Sequence, residues 1–255
     1  MNIKITADST CDLSEELLRQ WNISLMPMHI LMGDDTYLDG VTIHTADVFA
    51  HVDAGGQTPK SAAANPVEYI DFFEPFAKEY DAVIHISVSS KLSSCYQNAK
   101  LAAEDFANVY VVDSQTAAIG TGILAEYALS CAEAGMPADE IAAQLEQKRE
   151  DVCLVALLDT LEYLKRGGRI SKPVALAGGL LNIKPVVTVR DGEVVLIGKA
   201  RGSKQGNNLL AEKIHTCGGI DFSLPILLGY SGLSDAFLKK YVEDSRSLWQ
   251  DGAEK

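Results

Sequence analysis

The sequence has no closely spaced pair of cysteines. Its five, Cys11, Cys95, Cys131, Cys153 and Cys217, are scattered and odd in number. Neither a disulfide framework nor a CxxC metal or redox motif is therefore visible, as expected for a reducing compartment. No HExxH or HxH spacing joins His29, His44, His51, His85 and His215, and no cysteine neighbours them at ligand spacing, so no metal site is predicted. Basic residues are in deficit: 22 Lys and Arg stand against 35 Asp and Glu, a formal charge of −13. Such a field opposes nucleic acid and anionic membrane surfaces as partners. No apolar run approaches the ~20 residues that a bilayer demands. The opening Met1-Asn2-Ile3-Lys4-Ile5-Thr6-Ala7 is too short and too alternating for a signal peptide. The expectation is a soluble cytoplasmic protein with no membrane anchoring and no cofactor.

What is present is an ordinary globular composition, 47% hydrophobic and 22% charged, on a chain of 255 residues, long enough to bury a core without metals or disulfides. Short β-branched runs at 3–7, 23–32, 82–87, 109–112, 152–157, 184–189, 194–200 and 225–229 read as strands. Apolar residues at helical spacing mark 13–20, 46–52, 66–80, 92–106, 117–134, 138–150, 202–215 and 234–248. Strand and helix alternate, and a parallel strand needs a helical crossover to return. After about residue 155 the pattern shifts, because Arg190-Asp191-Gly192-Glu193 joins two strands as a hairpin. The predicted fold is α/β with two lobes. Residues 1–158 form a mostly parallel sheet flanked by helices, and residues 159–255 a second α/β lobe with antiparallel pairing.

Two familiar patterns lose to plainer readings. Gly120-Thr121-Gly122 has the letters of a dinucleotide fingerprint, but it lies inside a helical pattern well past the preceding strand. Gly229-Tyr230-Ser231-Gly232 begins like a nucleophile elbow, yet its second glycine arrives one position early. What stands out is the density of hydroxyls at strand-to-helix junctions: Asp8-Ser9-Thr10-Cys11-Asp12-Leu13, Lys60-Ser61 ahead of Pro66, and Ser87 through Ser89-Ser90 to Ser93-Ser94-Cys95. In a parallel sheet these junctions gather at the carboxyl edge, where helix first turns offer free N–H groups to an anion. Any one of these serines is otherwise a helix cap. A second feature runs from Asp159 to Ser171. A short helix ending in Lys165-Arg166 and turning on Gly167-Gly168 explains its basic residues through the helix dipole, but leaves Arg169 as an anion contact, as Arg201 is after the second hairpin strand.

Taken together, these stretches resemble the DegV family of fatty-acid-binding proteins, bacterial carriers that present an acyl chain to a separate fatty acid kinase. The resemblance rests on Asp8-Ser9-Thr10-Cys11-Asp12-Leu13; Lys60-Ser61 through Pro66 and Tyr69; Ile86-Ser87 through Leu92-Ser93-Ser94-Cys95-Tyr96-Gln97-Asn98-Ala99; Val112-Asp113-Ser114 with Gly120 and Gly122; Asp159 through Gly167-Gly168-Arg169-Ile170; Lys184-Pro185; and Arg201-Gly202. It implies a carboxylate at the lobe interface, held by Ser61 and Ser93 with nearby amides, Ser94 and Ser9 being further candidates. It also implies a tail in an apolar tunnel of the first lobe, and Arg169 and Arg201 steadying an added phosphate. The implied partners are a long-chain fatty acid and a fatty acid kinase, with no catalytic residue in this chain. Three departures are visible. Ala62 and Ala63 stand where relatives often have Ser-Gln, Ser94 and Cys95 replace the usual Gly-Thr, and a terminal strand with a His-x-Gly-Pro-Gly stretch is not found before Lys255. Two other readings of the residues stay open: a hydrolase or acyltransferase with Ser93 as nucleophile, and a binder of another small carboxylate.

Overall fold

The alternation of the first strand persists in three dimensions. In a computed structural model, which describes residues 1–170 and 182–249, Ile3–Asp8 forms β1, with five of its six residues buried. The chain divides into two units, residues 1–152 and 153–255. In the first unit β1 is followed by α1 (Glu15–Gln20), β2 (Ser24–Met26), β3 (His29–Met32), β4 (Asp35–Leu38), α2 (Thr45–Asp53), β5 (Lys60–Ala62) and α3 (Pro66–Glu79). Then come β6 (Ala82–Ser87), α4 (Cys95–Ala103), β7 (Val109–Asp113), α5 (Ile119–Glu133) and α6 (Ala138–Lys148). Four strands make a parallel sheet in the order β2-β1-β6-β7. All six residues of β6 are buried, as expected of a strand covered by helices on both faces.

Local chemistry explains the boundaries. Asn65 caps α3 by accepting from the backbone N–H of Val67 and Glu68, while Glu68 returns a bond to the Asn65 N–H and Pro66 opens the first turn. Tyr69 and Phe73, four residues apart, then face inward together. The run expected as one strand at 23–32 is two. Pro27 has no N–H to donate, and the chain leaves the parallel sheet there, so that β3 joins a separate antiparallel sheet in the order β4-β3-β5. β4 and β5 carry little sequence signal, and Lys60-Ser61 proves to be a strand paired with β3.

The second unit contains β8 (Val155–Leu157), α7 (Glu162–Arg166), β9 (Ile183–Arg190), β10 (Glu193–Arg201), α8 (Gly202–Thr216), α9 (Ala236–Asp244) and α10 (Arg246–Trp249). Its sheet is antiparallel, β10-β9-β8. Asp191 and Gly192 both have positive φ, 49° and 78°, the backbone that a two-residue hairpin turn requires. The helix expected at 234–248 is interrupted at Ser245, whose N–H and hydroxyl both donate to the Tyr241 carbonyl, at 2.9 and 2.6 Å. The strand expected at 225–229 does not form a ladder among the described residues. Its Ile226 and Leu228 are exposed, and none of the described strands pairs with it. Of the Asp159-to-Ser171 feature, Ser171 lies outside the described residues.

Candidate functional site

Strands β1, β6 and β7 end together at Asp8, Ser87 and Asp113, and the hydroxyl-rich loops leave from that edge. Asp8 is fully buried, as is His85. Its carboxylate accepts from Tyr69 Oη at 2.5 Å, Ser87 Oγ at 2.6 Å and the Val88 N–H at 2.9 Å, and His85 Nε2 lies 3.3 Å away. Burial alone would raise the Asp8 pKa; the hydrogen bonds from His85, Ser87 and Tyr69 and the electrostatic influence of His85 outweigh it and hold the carboxyl below its usual range. The other imidazole nitrogen, Nδ1, is 3.0 Å from Thr6 Oγ1. Burial, and next the neighbouring Asp8 charge, push the Tyr69 phenol upward, so it stays a donor.

Of the expected ligand-binding serines, Ser9, Ser93 and Ser61 have contacts that lead to the segment following Pro27. Ser9 donates to Asp39 Oδ2 at 2.6 Å and accepts from the Met28 N–H at 3.1 Å, so its one proton is already engaged by a carboxylate. Ser93 accepts from the Cys95 N–H at 3.3 Å and donates to Cys95 Sγ at 3.1 Å; Cys95 Sγ in turn meets Met28 Sδ at 3.1 Å. Burial first, then the charge of Asp8, push the Cys95 thiol up to about 11, which keeps it neutral. Ser94 is the exposed N-cap residue of α4 with no side-chain capping bond. Ser61, exposed on β5, pairs with Ile30 of β3. Thus Ser9 bonds Met28 directly, Ser93 is linked to it only through Cys95, and Ser61 pairs with the strand that begins one residue later. In the second unit Arg169 Nη1 donates to the Gly167 carbonyl at 2.5 Å, and Arg201 ends β10 opposite Ile183, its N–H donating to Gln205 Oε1 at 3.3 Å.

Met28 and Cys95 belong to an apolar cluster of the first unit, made with Met26, Ala64, Tyr69, Phe73, Val83, Val88, Ala99 and Ala102. The profile of the DegV family, described as uncharacterised proteins, matches residues 2–250. The chain belongs to the DegV family. A DegV domain-containing protein of Caldanaerobacter subterraneus subsp. tengcongensis is 34% identical over 87% of this chain and 79% of its own length. Among solved structures, the DegV family protein from Thermus thermophilus described for fatty acid binding superposes with a TM-score of 0.84 at 30% identity, over 97% of this chain and 88% of that one. The Fatty Acid Kinase (Fak) B3 protein of Streptococcus pneumoniae, loaded with linoleic acid, superposes at 0.73 with 25% identity, over 86% and 80%.

Several features of this DegV chain at the carboxyl edge escape a reading by motif. The node of Asp8, Tyr69, His85 and Ser87 is one. Its signal was the alternation of Lys4-Thr6-Asp8 and His85-Ser87, polar residues every second position in strands buried on both faces. Thr10 and Thr116, on the loops after β1 and β7, have buried hydroxyl oxygens with no hydrogen-bond partner among the described residues. Ala118, just before α5, adopts φ 52° and ψ −140°, a region nearly reserved for glycine that costs about 1–3 kcal/mol. The dinucleotide-like glycines act in packing. A Cβ on Gly120 would fall 2.4 Å from Thr116 Oγ1, and one on Gly122 would fall 2.9 Å from the Cys11 carbonyl. α5 can approach these loops only because both positions lack a side chain. No group of three or more metal-binding side chains occurs among the described residues, and no helix there is long and apolar enough to cross a membrane.

Proposed function

We propose that this DegV protein is a non-catalytic carrier that binds one long-chain fatty acid in the cytoplasm and presents it to a separate fatty acid kinase for acyl phosphate formation. The observation that carries the reading is the contact chain from the Ser93 hydroxyl through Cys95 to Met28, which sets the start of α4 directly on the apolar cluster. In this proposal the carboxylate takes the Ser93 hydroxyl, the first-turn amides of α4 and Ser61, with Ser94 beside them. The tail enters among Met26, Met28, Ala64, Ala99 and Ala102, where pliable methionines and small alanines yield space at little cost. At ~0.8 kcal/mol per buried methylene, a tail of about 15 methylenes contributes roughly 12 kcal/mol of gross transfer energy. Affinity then comes from the tail and orientation from the head. Arg169 and Arg201 are assigned to the charge added on phosphorylation.

A Ser93 nucleophile would need a base. Both nitrogens of His85 are engaged, one by Thr6 and one by Asp8, inside a fully buried side chain. The test is mass spectrometry of lipid extracted from purified protein, followed by titration with a long-chain acid. A copurifying or newly bound acid at one per chain is expected; an empty extract together with no uptake overturns the proposal. Ser93→Ala should weaken retention by ~1–3 kcal/mol, and unchanged affinity would remove that hydroxyl from the head-group site.

A further inference from the structure

In the second unit β8 and β10 each run antiparallel to β9 and are therefore parallel to one another. α8 follows β10 directly and packs back over all three strands, so it descends antiparallel to β8. Its early turns are pinned over the exit of β8: a Cβ on Gly206 would fall 2.8 Å from a Leu157 methyl. From residue 206 to residue 217 a helix travels about 16 Å, and from residue 157 back to residue 153 a strand covers about 13 Å. The end of α8 accordingly arrives where the chain enters β8. Each place holds an exposed cysteine, Cys217 as the cap residue of α8 and Cys153 two residues before β8. The two thiols are near enough to influence one another electrostatically.

We propose that Cys153 and Cys217 are a redox-modifiable pair that closes to a disulfide under hydroperoxide stress, stapling α8 to the entrance of β8. The Cys217 thiolate attacks the outer peroxide oxygen, the O–O bond breaks, and an alcohol or water leaves, with Cys217 now a sulfenic acid. The Cys153 sulfur then attacks that sulfur, forming the S–S bond and releasing water; two thiols lose two electrons and the peroxide takes them. Partial burial, and next the neighbouring Cys217, push the Cys153 thiol up to about 12. A thiol held that far up is little ionised, so closure is slow without oxidant. The remaining three cysteines, Cys11, Cys95 and Cys131, are buried and offer no competing partner. This pair is independent of the lipid-binding proposal.

The full chain, reduced and then treated with hydrogen peroxide, is assayed by thiol titration, peptide mapping and thermal melting. The count of five thiols should fall to three, with a Cys153–Cys217 cross-linked peptide and a melting temperature several degrees higher that dithiothreitol returns to its starting value. Cys153→Ser and Cys217→Ser, both at exposed positions, should abolish the cross-link and the shift. Phenylarsine oxide, which bridges two neighbouring thiols, should bind the reduced chain one to one and neither variant. Independent oxidation of the two sulfurs without an intramolecular bridge, cross-linking between chains only, or arsenical binding that survives either substitution overturns the proposal.

Discussion

Ile3, Ile5 and Ala7 point from β1 towards α5, whereas Lys4, Thr6 and Asp8 point towards α3. On the first face the β1 side chains are all apolar. Ile5 and Ala7 are almost without exposure, and Ile3 and Ile5 share the wall of a cleft of about 270 Å3 with Leu129 and Ala132 of α5. On the second face a polar seam is buried just as deeply. The Lys4 ammonium donates to Asn22 Oδ1 at 3.0 Å and lies over the Phe76 and Tyr80 rings, its pKa lowered by burial against the raising influence of Glu79. Thr6 and Asp8 continue that seam to His85, Tyr69 and Ser87. One face is stabilised by volume and the other by complete partnering. The two should fail differently when a side chain is removed.

The largest effect is expected from Asp8→Ala, which strands Tyr69, Ser87, His85 and the Val88 N–H in a dry interior. Urea unfolding should show a loss of about 3–5 kcal/mol, the range for breaking a buried ionic network by one partner. A loss below about 1 kcal/mol would mean that water fills the gap and that the seam is not tightly held. Ile5→Ala, on the opposite face, should cost about 2–4 kcal/mol by cavity formation, with small apolar additives recovering part of it. No such recovery is expected for Asp8→Ala. Acid separates the faces further. The folded Asp8 carboxyl titrates below its unfolded value of about 3.9, so its contribution is complete above that value and drains away as pH falls through the folded pKa. The parent chain should lose stability over that window while Ile5→Ala follows the same slope from a lower start; a slope identical in Asp8→Asn would assign the acid sensitivity elsewhere. Tyr69→Phe is the smallest change, about 1 kcal/mol, because three donors still reach the carboxylate.

Much of the fold was legible because its signals are local. β1, β6 and β7 announce themselves by β-branched runs, α3 by Asn65-Pro66 and Glu68, and the hairpin by Asp191-Gly192, each within a few residues. The elements that were not legible depend on distant partners. Lys60-Ser61-Ala62 has no strand-forming character of its own and is a strand because β3 lies alongside. The 225–229 run has the right residues but no neighbour to pair with among those described. The candidate site divides the same way, its serines being a proposal. Ser93 and Ser94 could be found from a cluster of hydroxyls before a helix, whereas the Asp8 node joins residues up to 80 positions apart and exists only once β1 and β6 are aligned.

Pro27 makes a single short connection answer to two sheets. Because successive strand residues face opposite sides, inserting one residue between Met26 and Met28 would leave the parallel pairing of β2 untouched while rotating everything after it by half a turn. Met28 would be displaced from its place against Cys95, and the antiparallel sheet that carries Ser61 would shift with it. The length of that link is therefore as strictly set as any residue identity in the first unit, and lengthening it should be tolerated far less well than lengthening the loop that carries Gly55 and Gly56.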